Sequence, residues 1–157
     1  MTQFLITKEG LAKLRAELYD LKTVQRPAII EAVAQARDHG DLKENAEYHA
    51  AREKQGMIEA IIADYEEKLS RVKEVDISSF SGTTVRFGAK VKLENLNNSQ
   101  IVTYQIVSEY ETDIDKGLIS DRSPVARALL GKEEGDQIEI KTPGGVIDYE
   151  ILEVKFA

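Results

Sequence analysis

Leu11-Ala12-Lys13-Leu14-Arg15-Ala16-Glu17-Leu18-Tyr19-Asp20-Leu21 sets four leucines at spacings of 3, 4 and 3, the seam of a coiled coil. Thr7 stands ahead of the run as its N-cap. The apolar pattern continues less regularly through Ile29, Ile30, Val33 and Ala36 and stops near Gly40, a C′ glycine. Pro27 interrupts it; a mid-helix proline removes a backbone bond and crowds the preceding turn, so a kink is expected there. A second seam, Ile58, Ile62, Tyr65, Leu69 and Val72, has spacings of 4, 3, 4 and 3. The few polar residues between the seams leave room only for an antiparallel return. Two helices of about 30 residues make a hairpin roughly 45 Å long, whose far end is expected to project. No strand signal is legible in this half.

Past residues 76–82 (Asp76-Ile77-Ser78-Ser79-Phe80-Ser81-Gly82), read as a linker, the period changes to alternation. Val85 and Phe87, Val91 and Leu93, then Val102, Tyr104 and Ile106 follow a period of two, as do Ile138 and Ile140 and the stretch from Val146 to Val154. Asn97-Asn98 and Pro143-Gly144-Gly145 supply turns, the latter suited to type II. One short helix interrupts: Ser123 as N-cap, Pro124 at N1, an apolar run from Val125 to Leu130, and Gly131 to end it. The expected class is α+β. A coiled-coil hairpin over 1–75 precedes an antiparallel sheet domain with one helix over 83–157.

Composition narrows the function. The 157 residues hold no Cys, 21 Lys plus Arg and 28 Asp plus Glu, a net charge of −7. Disulfide scaffolds, zinc-thiolate sites and cysteine catalysis are excluded. Bulk positive charge for gripping bare nucleic acid is missing from either half: residues 1–80 carry 12 basic and 15 acidic side chains, residues 81–157 carry 9 and 13. Nucleic-acid contact must be local or delivered by a partner. No basic, apolar leader opens the chain and no run approaches the roughly 18 apolar residues of a membrane span. A cytoplasmic protein is expected.

The chemistry gathers where the hairpin turns. Asp38, Asp41, Glu44 and Glu47, with both histidines, His39 and His49, fall within 12 positions. Were the returning helix to begin at Asp41, Asp41 and Glu44 would share a face. Such hard oxygen ligands suit Mg²⁺ or Mn²⁺. Two carboxylates cannot enclose an octahedral ion, but they can complete a sphere begun by another macromolecule. Asp41-Leu42-Lys43-Glu44 is equally a capping box, Asp as N-cap and Glu at N3; the roles do not exclude each other. A self-contained site with His39 and His49 is the weaker alternative, since zinc prefers enclosure. Arg15, Arg26 and Arg37 recur every 11 residues, close to three turns, and in an unbroken helix would line one face. Arg15 and Arg26 read as charges paired with acidic neighbours. Arg37 and Arg52 flank the acidic turn and are the candidates for touching a phosphate backbone. The second half has neither His nor Cys, and Ser123 has a cap to make; docking is its expected role.

Gly40-Asp41-Leu42-Lys43-Glu44-Asn45-Ala46-Glu47-Tyr48-His49-Ala50-Ala51-Arg52-Glu53-Lys54-Gln55 resembles the signature of the bacterial Gre transcript cleavage factors, GreA-like in type. Residues 123–132 and 140–145 are similar to that family's second signature. The resemblance implies an N-terminal coiled-coil hairpin and a C-terminal domain of FKBP-like fold without prolyl isomerase function. It implies a monomeric partner of bacterial RNA polymerase, docked at the entrance of the secondary channel through the region of Ser123 and Pro124. The hairpin would enter that channel. Asp41 and Glu44 would then act in the polymerase active site, share its second Mg²⁺ and position the attacking water for cleavage of backtracked RNA near the 3′ end. Arg37 and Arg52 match the basic patch that contacts the displaced 3′ segment. Arg122 stands where factors of that family often carry Asn or Asp.

Two other readings compete. A channel-plugging inhibitor would share the fold and release no RNA fragments. A stand-alone metal hydrolase would cleave free RNA without polymerase, which an open turn does not favour.

Overall fold

A computed structural model describes residues 3–40 and 45–156. Asp41, Leu42, Lys43 and Glu44 lie outside the described residues. The chain packs as two units, 11–72 and 3–10 with 73–156, and its class is α+β as expected.

In the first unit, α1 (Lys8–Asp20) leads through a π-helical turn (Leu21–Gln25) into α2 (Arg26–Arg37), and α3 (Ala46–Arg71) packs against them. Leu21, Ile29, Ile58 and Ile62 are buried together, with Leu18, Ala51 and Tyr65 against them, so the two seams meet over this stretch; the second seam's last position, Val72, is not helical, since α3 ends at Arg71 and a strand begins there. Leu21 to Ile29 is 8 residues where a heptad needs 7. A π turn holds about one residue more than an α turn, and Leu21–Gln25 takes up the surplus, so Ile29, Val33 and Ala36 stay buried. The π turn ends two residues ahead of Pro27. Its ring has no N–H for the carbonyl four residues back, and the helix ahead of it is widened. Ile30, placed in the seam by sequence, is 51% exposed; one residue from Ile29, it points about 100° away. The π turn also separates Arg15 from Arg26, so the expected three-arginine stripe is not continuous.

Polar pairs bind the two arms. Arg26 Nε and Nη2 donate to Glu59 Oε2 and Oε1, both at 2.8 Å, Lys22 Nζ lies 3.2 Å from Glu66 Oε1, and Tyr65 Oη donates to Glu17 Oε2 at 2.5 Å.

The second unit corrects the expectation that the first half lacks strands: β1 (Phe4–Thr7) pairs with β2 (Val72–Val75). Each has only four residues, too few for alternation to register against the neighbouring helical pattern, yet Ile6 is fully buried. Thr7 caps α1 as expected, its Oγ1 accepting from Gly10 N at 3.0 Å.

Among the described residues, β3 (Lys90–Asn95), β4 (Ile101–Val107), β5 (Leu118–Ser120), β6 (Gln137–Thr142) and β7 (Gly145–Lys155) form one sheet in the order β5-β4-β3-β7-β6. It is antiparallel except for β4 and β5, which run parallel, a correction to the all-antiparallel expectation. β5 is three residues long and follows 3₁₀ turns, so periodicity alone does not reveal it. Val91 and Leu93 on β3 face Val154 and Ile151 on β7, with a register shift between them. That extra residue keeps Ile151 and Val154, three apart, on the buried face.

Val85 and Phe87 are core residues but not a strand; the backbone there makes a single bridge, Thr84 to Glu133. α4 (Pro124–Leu129) places Ala126 and Leu129 in the core. Pro143-Gly144 is not a type II turn, because the positive φ, 126°, falls on Gly145. The segment read as a linker carries a 3₁₀ turn (Ile77–Ser79) capped by Asp76, and Phe80 stacks edge-on to Phe156 at 5.7 Å.

Candidate functional site

α2 ends at Arg37 with Asp38 as C-cap, and Gly40 follows with φ 120°, a conformation that costs glycine nothing. α3 begins at Ala46, and its N-cap is Asn45, whose Oδ1 accepts from Tyr48 N at 3.0 Å. The N-cap of α3 is Asn45, not Asp41; the capping box read onto Asp41 and Glu44 lies outside the described residues. Asn and Asp cap equally well, so spacing to Glu44 was not decisive. Asp41 and Glu44 themselves lie outside the described residues, between Gly40 and Asn45.

Three contacts join the ends of α2 and α3. Asn45 Nδ2 donates to the Ala36 carbonyl at 2.5 Å. His39 Nδ1 lies 3.1 Å from Glu47 Oε2. The Arg37 guanidinium sits 5.9 Å from the Tyr48 ring centroid, within the range of a cation–π contact. Sequence reading missed Asn45 and Tyr48. Their signal was present, since an Asn before Ala-Glu-Tyr is a good start for a helix, but the preceding carboxylates drew the assignment.

Arg37, at the end of α2, and Arg52, on α3, are both exposed. Arg26 is held by Glu59, which raises its pKa and lowers that of Glu59 through their hydrogen bonds. It is thus a structural charge, as its sequence reading holds; Arg15, read the same way, is exposed and makes no ion pair among the described residues.

For a metal, the donor set decides. Among the described residues no group of three or more His, Asp or Glu is arranged to hold an ion. His39 faces Glu47, and the His49 ring lies edge-on to Tyr48 at 5.6 Å. The carboxylates of Asp41 and Glu44 are hard oxygen donors, a pair whose chemistry fits Mg²⁺ as part of a shared sphere and not as a closed site.

In the second unit, Ser123 caps α4: its Oγ accepts from Ala126 N at 3.2 Å and donates to the Ser120 carbonyl at 2.7 Å. Pro124 follows at N1, exposed. Arg122, the departure from the family pattern, lies 4.0 Å over the Phe4 ring, and its Nη2 donates to the Gln3 carbonyl at 3.3 Å. Phe4 in turn meets Tyr110 at 4.9 Å. Next to it, burial pushes the Asp121 carboxyl above the usual range, against the opposing charge of Arg122. Ser123 and Pro124 therefore sit together on one capped turn of the second unit, and Arg37 and Arg52 belong to the first.

Comparison with known proteins gives this arrangement its context. The model of the N-terminal part of transcription elongation factors matches residues 4–73, and that of the GreA/GreB C-terminal part matches residues 81–156. The chain is 53% identical over 157 residues to transcription elongation factor GreA of Psychromonas ingrahamii, covering 99% of each. It is 52% identical over 156 residues to that of Rhodospirillum rubrum, again covering 99% of each. A solved structure of GreA factor homolog 1 from Thermus thermophilus is 26% identical over 98% of this chain and 99% of that one, with a TM-score of 0.44. Matched along nearly its whole length in both halves, the chain belongs to the GreA/GreB family of transcription elongation factors.

Proposed function

We propose that this protein, acting as a monomer, stimulates RNA polymerase to cleave its own backtracked nascent RNA, and is not a nuclease by itself. The observation that carries the reading is the turn of the hairpin. Arg26 and Lys22 are tied across the arms to Glu59 and Glu66, and Arg37 and Arg52 stand exposed, on α2 and α3, on either side in sequence of a tetrapeptide bearing Asp41 and Glu44. Exposed cations beside a pair of carboxylates suit an RNA strand lying next to a divalent ion.

Each group then has a task. Arg37 and Arg52 hold phosphates of the displaced 3′ segment through charge-assisted hydrogen bonds. Asp41 and Glu44 offer hard oxygens, too few to bind an ion tightly alone, to the Mg²⁺ of the polymerase active site. Their charge also holds and orients a nearby water through hydrogen bonds. When bound there, Mg²⁺ supplies Lewis-acid charge and lowers the pKa of a bound water. Ser123 and Pro124, on the rigid start of α4, form the contact with the channel rim.

The test is a stalled polymerase complex with Mg²⁺, scored for short 3′ RNA fragments. Asp41→Asn with Glu44→Gln is expected to abolish fragments while binding polymerase and melting near wild type, because Asn45 caps α3. Inhibition without fragments by the wild-type protein would favour a channel plug, and cleavage of free RNA would make it a hydrolase.

A further inference from the structure

A cavity of about 940 Å³ opens inside the second unit, within the size range of small-molecule sites. One row across the sheet lines it: Leu118 on β5, Gln105 on β4, Lys90 on β3 and Lys155 on β7 are successive partners in register. Lys90 and Gln105 alternate with Val91 and Ile106, so the row occupies the face away from the buried cluster. Lys8, at the start of α1, adds a third ammonium, and Ile77, Phe80 and Phe156 add apolar surface. The polar groups here are short of acceptors. Of the lining carboxylates, Asp76 already accepts from Ser78 N and Oγ, Glu111 takes Thr7 N, Thr7 Oγ1 and Ser108 N, and Glu9 is exposed. Lys155 Nζ lies 3.0 Å from Glu153, whereas Lys8 and Lys90 make no ion pair among the described residues. Lys90 and Lys155 also stand directly opposite each other, and like charges so placed on a sheet are destabilising. An anion over this row relieves the repulsion and brings the missing acceptors.

We propose that this cavity binds a small aromatic anion, its acidic group held by Lys8, Lys90 and Lys155 and its ring against Ile77, Phe80 and Phe156. Charge-assisted hydrogen bonds from the lysines fix the acidic end, and the apolar wall removes the ring from water. A nucleotide and an aromatic acid share this chemistry. The transcript-cleavage reading uses none of these residues, so the two stand or fall separately.

The probe is anilinonaphthalene sulfonate, an aromatic anion, added to the full-length protein and followed by fluorescence and by backbone amide shifts in NMR. Saturable binding is expected, moving the amides of Lys90, Gln105, Lys155 and Phe156 and leaving those of β6 in place. Lys90→Gln alters an exposed side chain, so it should keep the melting temperature and weaken binding by about tenfold, as loss of a hydrogen bond from a charged group does. Lys141→Gln, on β6, should bind as wild type does. Displacement of the dye by adenosine monophosphate and not by adenosine identifies the anion as a nucleotide; displacement by naphthoate alone identifies it as an aromatic acid. Absence of saturable binding, amide shifts confined to other residues, or equal affinity in wild type and Lys90→Gln overturns the site. Displacement by adenosine as readily as by its monophosphate overturns the role of the charge. Should Lys90→Gln melt at a lower temperature, the amide shifts of the wild-type protein decide.

Discussion

Glu111 Oε1 accepts the backbone N–H of Thr7 at 2.9 Å although 104 residues separate them in the chain. The other carboxylate oxygen takes the Thr7 hydroxyl, Ser108 N adds a bond to Oε1 at 3.2 Å, and Thr7 Oγ1 accepts from Gly10 N. Residues 3–10 are thereby fastened to the sheet unit by one carboxylate that serves three donors.

Gly10 faces that carboxylate. A methyl group at position 10 would lie 2.1 Å from Glu111 Cδ, so Glu111 must leave its donors to make room. Helix propensity alone favours Gly10→Ala by about 1 kcal/mol. Hydrogen bonds to a charged group contribute about 1.5–3 kcal/mol each, and the net loss of one as Glu111 shifts already outweighs propensity. Gly10→Ala is expected to destabilise the protein by about 2 kcal/mol, read from denaturant unfolding. Unchanged or greater stability would show that Glu111 swings aside freely.

The hydrogen bond to Glu17, then burial, pushes the Tyr65 phenol up to about 12 from 10.0. A raised folded pKa means that the neutral phenol is favoured in the fold, so its contribution is present below pH 10.0 and lost as pH approaches about 12. Wild type should therefore melt above Tyr65→Phe up to pH 10.0, and the gap should close toward about 12. A gap independent of pH across that window would refute the bond to Glu17 as its source.

Asp121 has the opposite consequence. Burial raises its carboxyl above the usual 3.8, so ionising it in the fold is unfavourable, and the penalty is present at neutral pH and absent at pH values below 3.8. Asp121→Asn should raise the melting temperature at pH 7 by an amount that shrinks to nothing in acid. An Asn variant less stable than wild type at pH 7 would show that the ionised group has a partner that outweighs burial.

Replacing Arg37 and Arg52 with Gln should leave melting nearly unchanged, since both are exposed. The variants should respond less to long backtracked RNA. The salt dependence should flatten by about 0.7 in log–log slope for each phosphate of single-stranded RNA that is no longer neutralised. Wild-type behaviour at every salt concentration would make both arginines solvated charges.

Much of this fold is legible in the spacing of apolar residues. The leucines of α1, the isoleucines of α3 and the Ser123-Pro124 start of α4 declare themselves because burial repeats over several turns or because a cap and a proline coincide. What escapes is short or depends on distant partners. β1 and β5 are too brief to show a period. The parallel pairing of β5 with β4 and the bulge opposite Leu93 are set by the sheet as a whole. Within the candidate site, residue types pointed to Arg37, Arg52 and the acidic turn. They did not point to Asn45, because Asp41 offered an equally good cap and only the chain's actual path assigns the start of α3.

The π turn at Leu21–Gln25 behaves like a dislocation in a crystal, confining one surplus residue to five positions so that order resumes beyond it. Were those residues to wind as ordinary α-helix at unchanged chain length, everything beyond would rotate about its axis by about 100°. Ile29, Val33 and Ala36 would then face solvent, and Arg37 would point elsewhere. The azimuth of the cation beside the acidic turn is thus governed more than ten residues upstream, where a substitution that touches neither RNA nor polymerase could redirect it.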